Sequence, residues 1–437
     1  MAQPANIDVA AALDEAEELY RKRNPKSLAQ HQAACEAMPG GNTRSAIHVD
    51  PFPLTMVRGE RARLWDLDGH DYVDFLSEFT AGIFGHSHPA ILRAIEQALD
   101  GGLNFGAHNA TETRFAAAIC ARFPSIELVR FTNSGTEANL MTVSAARAIT
   151  GRPKILVFEG GYHGGVFYFR GHGSALNAPF EYLLGRYNDL EAVEALVRPY
   201  RAELAAILIE PMQGTTGCIP AEREFLAGLR SVADETGAVL IFDEVMTSRL
   251  APGGLQEAHG ILPDLTTLGK YVGGGMSFGA FGGRAEIMER FDPRRPDAFQ
   301  HAGTFNNNVM TMAGGLVAMG EIFDSDAADA LLVRGETLRA RLNDLCQERA
   351  VDMHFTGMGS MMQPHFRRGP IERPYTASAR EEALREIYFF DLLAAGIYIA
   401  RRGMIAMSLL IGDAECDRLV AALEEFCALR RPFMRLD

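Results

Sequence analysis

Lysine is scarce in this chain of 437 residues, although basic side chains as a class are not. Only four of the 42 basic residues are lysines, namely Lys22, Lys26, Lys154 and Lys270, and all the others are arginines. Arginine serves wherever a permanent cation is needed, but it stays protonated and does not become a neutral amine nucleophile. A lysine in a chain that otherwise uses arginine therefore draws attention to chemistry that requires a primary amine.

Other absences exclude whole classes of protein. No run of about 18 uncharged apolar residues occurs, so no transmembrane helix is predicted. The net charge of −14 and the lack of a basic run argue against nucleic acid as a partner, because phosphate backbones are bound by clustered cations. The six cysteines are scattered without a CxxC pair, which argues against a zinc site or a disulfide framework and favours reduced core residues.

The amino-terminal 23 residues carry acids where a signal peptide needs cations, and they lack its apolar core. Their residue pattern predicts an amphipathic helix instead. We therefore expect a cytoplasmic protein without a membrane association.

Four apolar segments rich in Val, Ile, Leu and Phe end abruptly in polar or glycine-rich residues, at 128–137, 154–165, 205–214 and 238–246. Helical patterns separate them, and strands that alternate with helices predict a parallel sheet buried on both faces. In such sheets ligands collect at the carboxyl ends of the strands. The polar residues just beyond these segments are therefore the candidates for chemistry.

The predicted fold class is α/β, with the chain divided into three parts. Residues 1–75 form an amino-terminal segment with a hairpin that turns at Asp68-Gly69. Residues 76–325 form a large α/β domain. Residues 326–437 form a smaller α+β domain that ends in an amphipathic helix.

Two of the candidate positions are typical of cofactor sites. Ser134, Gly135 and Thr136 lie in NSGTEAN between a predicted strand and helix, where free N–H groups bind phosphate. The alternative is a plain helix cap in which Glu137 completes a capping arrangement. Asp243 stands at the end of a strand buried on both faces, so its carboxylate needs a cation or hydrogen-bond donors.

Lys270 lies in TTLGKYVGGGMSFGAFGG, which contains seven glycines but fits neither common nucleotide motif. A P-loop needs GxxxxGK followed by Ser or Thr, whereas Tyr271 follows here and Asp264 occupies the first glycine position. The glycines do not open a βαβ unit as GxGxxG either. Amine chemistry explains the lysine better, chiefly a Schiff base with the aldehyde of pyridoxal phosphate. That cofactor would use the phosphate site, the carboxylate and the amine together.

The chain resembles the class III, fold-type I aminotransferases that depend on pyridoxal phosphate. The resemblance covers nearly the whole chain and rests on a combination of motifs: FTNSGTEAN, GGYHG, IEPMQG, FDEVM, DLTTLGKYVGGGMSFGAFGG and GTFNNN. Within that family the segments MPGGNTRS, MTSRLAP and HAGTFNNNVMTMA are similar to aminotransferases that act on β-phenylalanine. Glutamate-1-semialdehyde aminomutases share many of the motifs, but they have GT(L/Y)xxNP in place of GTFNNNV.

The resemblance implies a role for each candidate residue. Lys270 would bind the cofactor aldehyde and move the substrate proton, and Asp243 would pair with the pyridinium nitrogen. Phosphate would be held by Ser134, Gly135 and Thr136, and by Thr304 of the partner subunit in a homodimer. Three further residues would surround the cofactor ring: Tyr162 on one face, Val245 on the other and Glu210 close by. The two histidines His163 and His301 are interpreted as hydrogen-bonded structural residues.

Two arginines are the candidates for binding substrate carboxylates. Arg44 in GGNTRS would offer a planar fork, and Arg402 in IARRG would do the same from the carboxyl-terminal domain, with Arg401 as its rival. In a β-amino acid the carboxylate lies one carbon farther from the reacting centre than in an α-amino acid, which two separated arginines would accommodate. Phe84 is a candidate wall for an aromatic side chain.

The expected reaction is transamination of an aromatic β-amino acid such as β-phenylalanine to a β-keto acid, with 2-oxoglutarate or pyruvate as the acceptor. One alternative is an aminomutase that shifts an amine within a single molecule. Another is a catalytically silent binding protein, whose signature would be loss of the lysine or the aspartate. Both residues are present.

Overall fold

The computed structural model describes residues 8–434 of the chain. Its strands are β1 Met56–Glu60, β2 Arg63–Asp66, β3 Asp71–Asp74, β4 Leu128–Thr132, β5 Lys154–Phe158, β6 Glu181–Gly185, β7 Leu204–Ile209, β8 Met212–Gln213, β9 Ile219–Pro220, β10 Val239–Asp243, β11 Leu265–Gly269, β12 Gly279–Gly283, β13 His354–Met358, β14 Met361–His365, β15 Ile397–Tyr398 and β16 Ile405–Ala406. Its α-helices are α1 Val9–Arg23, α2 Pro25–Cys35, α3 Pro89–Asp100, α4 Ala110–Arg122, α5 Gly135–Thr150, α6 Leu190–Val197, α7 Arg223–Thr236, α8 Leu255–His259, α9 Ala285–Met288, α10 Val309–Val317, α11 Ser325–Glu348, α12 Ala379–Ala394 and α13 Asp413–Arg430.

The large sheet contains seven strands in the order β4-β12-β11-β10-β7-β5-β6. The four apolar segments supply β4, β5, β7 and β10, and the pairs from β6 through β11 run parallel, which confirms the predicted α/β class. All six residues of β7 and all five of β10 are buried. Helix α5 packs on one face of the sheet and α7 on the other.

Strand β12 is a departure from the expected pattern, because GAFGG forms a buried strand antiparallel to both neighbours. A Cβ on Gly279 would lie 2.1 Å from the Ser134 carbonyl oxygen, and one on Gly283 would lie 2.1 Å from that of Asp264. The glycines therefore allow close backbone approach within the sheet, beside the helix that begins at Gly135.

A second sheet joins the two ends of the chain. Its order is β1-β2-β3-β15, with β15 parallel to β3 through Ile397 and Val73. The predicted hairpin is the β2-β3 connection, in which Gly69 has a φ of 99°. A third sheet, β13-β14-β16, and helices α11 to α13 complete the carboxyl-terminal part. The three-part division at 75/76 and 325/326 stays a prediction.

Both predicted terminal helices are present over the residues that can be described. The amino-terminal helix begins at Val9, and the first seven residues of the segment predicted for it lie outside the described range. All six cysteines are free; Cys218, Cys346, Cys416 and Cys427 are buried, whereas Cys35 is exposed. Within residues 8–434, none of the helices is long and apolar enough to cross a membrane.

Candidate active site

Asp243 ends strand β10 and is held by a complete set of hydrogen-bond donors. Its Oδ2 lies 2.8 Å from His163 Nδ1 and accepts a bond from Asn139 Nδ2 at 2.8 Å. Its Oδ1 accepts from the Val245 backbone N–H at 3.0 Å and from the Thr267 hydroxyl at 3.4 Å. Donors of this kind stabilise a carboxylate that is buried away from water. The carboxylate is thus fixed in position at the carboxyl edge of the sheet.

Lys270 follows the neighbouring strand β11, so the parallel pairing of β10 with β11 brings it to the same edge as Asp243. Its backbone is left-handed, with a φ of 54°, which is unusual for a residue other than glycine. Burial lowers the pKa of the Lys270 amine to about 8, opposed by the negative charges of Asp243 and Glu210 and helped by Arg402 and Arg44. The amine therefore loses its proton more readily than an ordinary lysine, and a minor fraction of it is neutral near physiological pH.

Helix α5 presents its amino terminus to the same edge. Ser134 is the N-cap and accepts a hydrogen bond from the Glu137 N–H at 3.2 Å, so the predicted cap is present. The Thr136 hydroxyl accepts from the Gly165 N–H at 3.3 Å. A Cβ on Gly135 would lie 2.8 Å from a methyl group of Val245, so only glycine lets the helix start this close to that side chain. The amino terminus of a helix as long as α5, with its free N–H groups and positive dipole end, favours binding of an anion.

Tyr162 and Glu210 lie beside this arrangement. The Tyr162 N–H donates to Glu210 Oε1 at 2.9 Å, and the Gly214 N–H donates to Glu210 Oε2 at 3.2 Å. Burial is the main reason that the pKa of Glu210 is raised to about 7, and the nearby Asp243 charge adds to the effect. Burial likewise raises the pKa of the Tyr162 hydroxyl.

These residues fit pyridoxal phosphate by the chemistry of their donor and acceptor groups. The helix terminus at Ser134 to Thr136 suits the phosphate, and the buried Asp243 carboxylate suits a protonated ring nitrogen. The partly neutral amine of Lys270 suits an aldehyde. The placement of Val245 and Tyr162 on the two ring faces stays a prediction.

Arg44 and Arg402 converge on one aromatic ring, that of Phe79. Their guanidinium carbons lie 5.4 Å and 5.3 Å from its centroid. The structure brings together two arginines from opposite ends of the chain, because β3 and β15 share a sheet. Arg402 Nε is buried without a hydrogen-bond partner, so the group is available to an added carboxylate.

Arg401 is committed elsewhere. Its Nε lies 2.7 Å and 2.8 Å from the two carboxylate oxygens of Glu386, and a second nitrogen lies 3.2 Å from Asp50. Arg402, by contrast, is near enough for its positive charge to help lower the pKa of Lys270 and to oppose the rise in the pKa of Tyr162.

Phe79 belongs to a segment whose backbone is left-handed at four consecutive residues, Ser77 to Thr80, with φ of 45°, 50°, 54° and 81°. None of the four is glycine, so the conformation is costly and must be imposed by its surroundings. Asp74 supplies part of that restraint by accepting the Ser77 N–H at 2.9 Å, and it also lies 2.9 Å from His86 Nε2. This loop could not be predicted from the sequence, because nothing in its residue types favours left-handed backbone.

Phe84 and Thr304 are not part of this cluster. Phe84 is buried in the core and packs against Tyr271, with ring centroids 6.5 Å apart, so its interpretation as a pocket wall is wrong. Thr304 lies in an exposed loop, where it is accessible to a second subunit; its role at the partner's phosphate stays a prediction.

The two histidines make structural contacts. His301 packs between Phe281 and Phe291, and His163 is the Asp243 partner. Asn139 was overlooked, although its position four residues after Gly135 places it on the same helix face.

The comparison with known families agrees with this geometry. The family model "Aminotransferase class-III" matches residues 45–426, and the chain belongs to that family. The protein is therefore an aminotransferase that depends on pyridoxal phosphate, as the resemblance implied.

Three relatives show which members of the family this chain is similar to. The chain is 52% identical over 420 residues to a β-phenylalanine transaminase from Variovorax paradoxus, covering 95% of this chain and 96% of the relative. The crystal structure of a β-phenylalanine aminotransferase from the same organism matches with a TM-score of 0.95 at 51% identity, covering 97% of this chain and 98% of the other. A glutamate-1-semialdehyde 2,1-aminomutase from Chlorobium phaeobacteroides is 38% identical, over 92% of this chain and 97% of the relative.

Proposed function

We propose that the enzyme transfers the amine of an aromatic β-amino acid, such as β-phenylalanine, to an α-keto acid, either 2-oxoglutarate or pyruvate. The observation that carries the proposal is the pair of arginines, Arg44 and Arg402, over the ring of Phe79 and within electrostatic reach of Lys270. The similarity to a β-phenylalanine transaminase supports the same substrate class.

Two arginines suit a reaction that alternates between two acids. The carboxylate of a β-amino acid is one carbon farther from the reacting carbon than that of the α-keto acid. Arg44 and Arg402 lie 5.4 Å and 5.3 Å from the Phe79 ring centroid, and each has the planar fork that binds a carboxylate through two hydrogen bonds, so the pair offers two binding groups for these carboxylates. Arg44 is exposed and can follow the substrate, whereas Arg402 has its Nε buried.

The protein groups divide the remaining tasks. Pyridoxal phosphate, when bound, supplies an aldehyde for the amine and a ring that accepts electrons. Lys270 takes the proton from the amine-bearing carbon and returns it in the reverse half-reaction, which its lowered pKa favours. Asp243, positioned by His163 and Asn139, holds a proton on the ring nitrogen. Ser134 to Thr136 bind the phosphate, while Val245, Tyr162 and Glu210 surround the ring.

The phosphate site would be completed in a homodimer, with Thr304 of the partner subunit as the additional ligand. Sedimentation measurements test this assembly, and a monomer with full activity would contradict it. Thr304→Ala is then expected to weaken cofactor retention without changing the dimer. Retention equal to that of the parent enzyme would remove Thr304 from the proposed site.

The experiment that tests the reaction uses two incubations of the purified, cofactor-loaded enzyme. One contains β-phenylalanine and 2-oxoglutarate, and the other contains glutamate-1-semialdehyde without an acceptor. Glutamate formed in the first tube alone is the expected result. Turnover in the second tube would favour the aminomutase activity that a 38% identical relative carries in its name.

A further inference from the structure

A pocket of about 360 Å³ has Arg402 in its wall, the same arginine whose charge acts on Lys270. The loops after β5 and β8 form one side of its wall, and residues of β14 and α12 form the other side. Its polar lining includes Arg170, Thr215, Gln363, Tyr375, Arg385 and Arg402. Arg402 therefore faces two places, the Lys270 site and this pocket, which we call the Arg385 pocket.

The pocket wall contains buried polar atoms that lack partners. Arg385 is 7% exposed and Gln363 is 4% exposed, yet Arg385 Nε and Gln363 Oε1 make no hydrogen bond. Arg402 Nε is unpaired in the same way. Buried polar groups are nearly always bonded, so these three atoms leave hydrogen-bonding capacity around one pocket that a ligand could use. The Gln363 amide can also turn its NH₂ group towards an acceptor.

The charge of the lining favours an anion. Arg170, Arg385 and Arg402 face two acids, Glu159 and Glu382. Glu382 is already engaged with Arg385 at 2.7 Å, through a different nitrogen from the unpaired Nε. His365, which also lines the pocket, adds no charge at neutral pH because burial lowers its pKa to about 4.

We propose that the Arg385 pocket binds a carboxylate group. Guanidinium groups recognise carboxylates by planar paired hydrogen bonds, and the pocket has the size of a small-molecule site. Two sources would supply this group. One is the far carboxylate of a dicarboxylic acceptor whose reacting end lies at Lys270, which rests on the proposed function; the other is a separate small acid.

The test uses two unreactive acids of equal length, glutarate and pentanoate, titrated calorimetrically into the cofactor-loaded enzyme. Binding of one glutarate per chain, at least tenfold tighter than pentanoate, would identify the dicarboxylate source. Binding of two pentanoates per chain would identify the separate acid. In the first case Arg170→Gln and Arg385→Lys should each weaken glutarate binding at least fivefold. In the second case they should each weaken binding of the second pentanoate by the same factor.

Arg170 is exposed and forms no ion pair within the described part of the chain, so its replacement keeps the test valid even if the Arg385 variant is unstable. The control is Arg341→Gln, which removes an exposed arginine paired with Asp417 at 2.7 Å and should leave both titrations unchanged. Equal single-site binding of the two acids, or binding unaffected by Arg170→Gln, would overturn the proposal. Because neither acid reacts, this result is independent of whether β-phenylalanine is transaminated.

Discussion

Replacing Lys270 with methionine is expected to stabilise the cofactor-free protein at neutral pH while abolishing its activity. Burial holds the pKa of the folded amine at about 8, against an ordinary value of 10.5. Below pH 8 the unfolded chain therefore accepts the lysine proton more favourably than the folded chain does, which lowers the free energy of unfolding. At about 1.4 kcal/mol per pKa unit the penalty reaches about 3 kcal/mol at pH 7, and it fades as the pH rises from 8 to 10.5.

Methionine keeps the aliphatic stem and removes the titrating group, so Lys270→Met should recover most of that penalty. The measurement is urea unfolding of both cofactor-free proteins at equal concentration, at pH 7 and again at pH 10. We expect a gain of about 2–3 kcal/mol at pH 7 that falls to about 1 kcal/mol at pH 10. Lys22→Met, at a side chain that is 70% exposed, is the matched control and should change stability by less than about 0.5 kcal/mol.

A Lys270→Met protein that is no more stable than its parent at pH 7 would refute the reasoning. A gain that is the same at both pH values would also refute it, because the effect would then come from packing rather than from the proton. The sign is informative because most single substitutions destabilise a protein.

Three further predictions test how the site is organised. His163→Gln should lower kcat about tenfold or more and weaken cofactor retention, because Asp243 loses its 2.8 Å partner; an unchanged absorption spectrum and rate would count against this role. Arg402→Gln should raise the KM for the acids at least tenfold, whereas Arg401→Gln should chiefly reduce stability; the reverse pattern would exchange their roles. Phe79→Leu should raise both KM values and Phe79→Tyr should restore them, since cation–π contacts contribute about 0.5–2 kcal/mol each. Equal KM values for the leucine and tyrosine variants would show that the ring does not position the arginines.

The sequence predicted the parts of the fold that local composition determines. Short apolar segments with helical spacers are sufficient to locate β7 and β10 and to place Asp243 at the edge of a parallel sheet. Strand β12 escaped notice because its glycines resemble a loop, and only the close approach of neighbouring backbones explains them. The general lesson is that a glycine-rich stretch next to a cofactor lysine can be sheet as well as loop.

The candidate site shows the same division. Lys270 was identified by residue choice alone, since arginine cannot do the chemistry of an amine. The choice between Arg401 and Arg402 could not be made from sequence, because it depends on the ion pair that Arg401 forms with Glu386 across the fold. The role of Phe79 could not be predicted from sequence for a related reason. Tertiary contacts impose its left-handed backbone conformation, which a phenylalanine rarely adopts by itself.

The pairing of β3 with β15 has a consequence for the synthesis of the chain. Val73 and Ile397 are neighbours in the sheet, yet roughly 320 residues separate them. At about 5–20 residues per second the ribosome needs roughly 15–65 s between the two. During that interval the edge of β3 and the face of α1 that packs on α12 remain uncovered. Until the last tenth of the chain emerges, the amino-terminal segment thus has an unpaired strand edge of the kind that can pair with another chain.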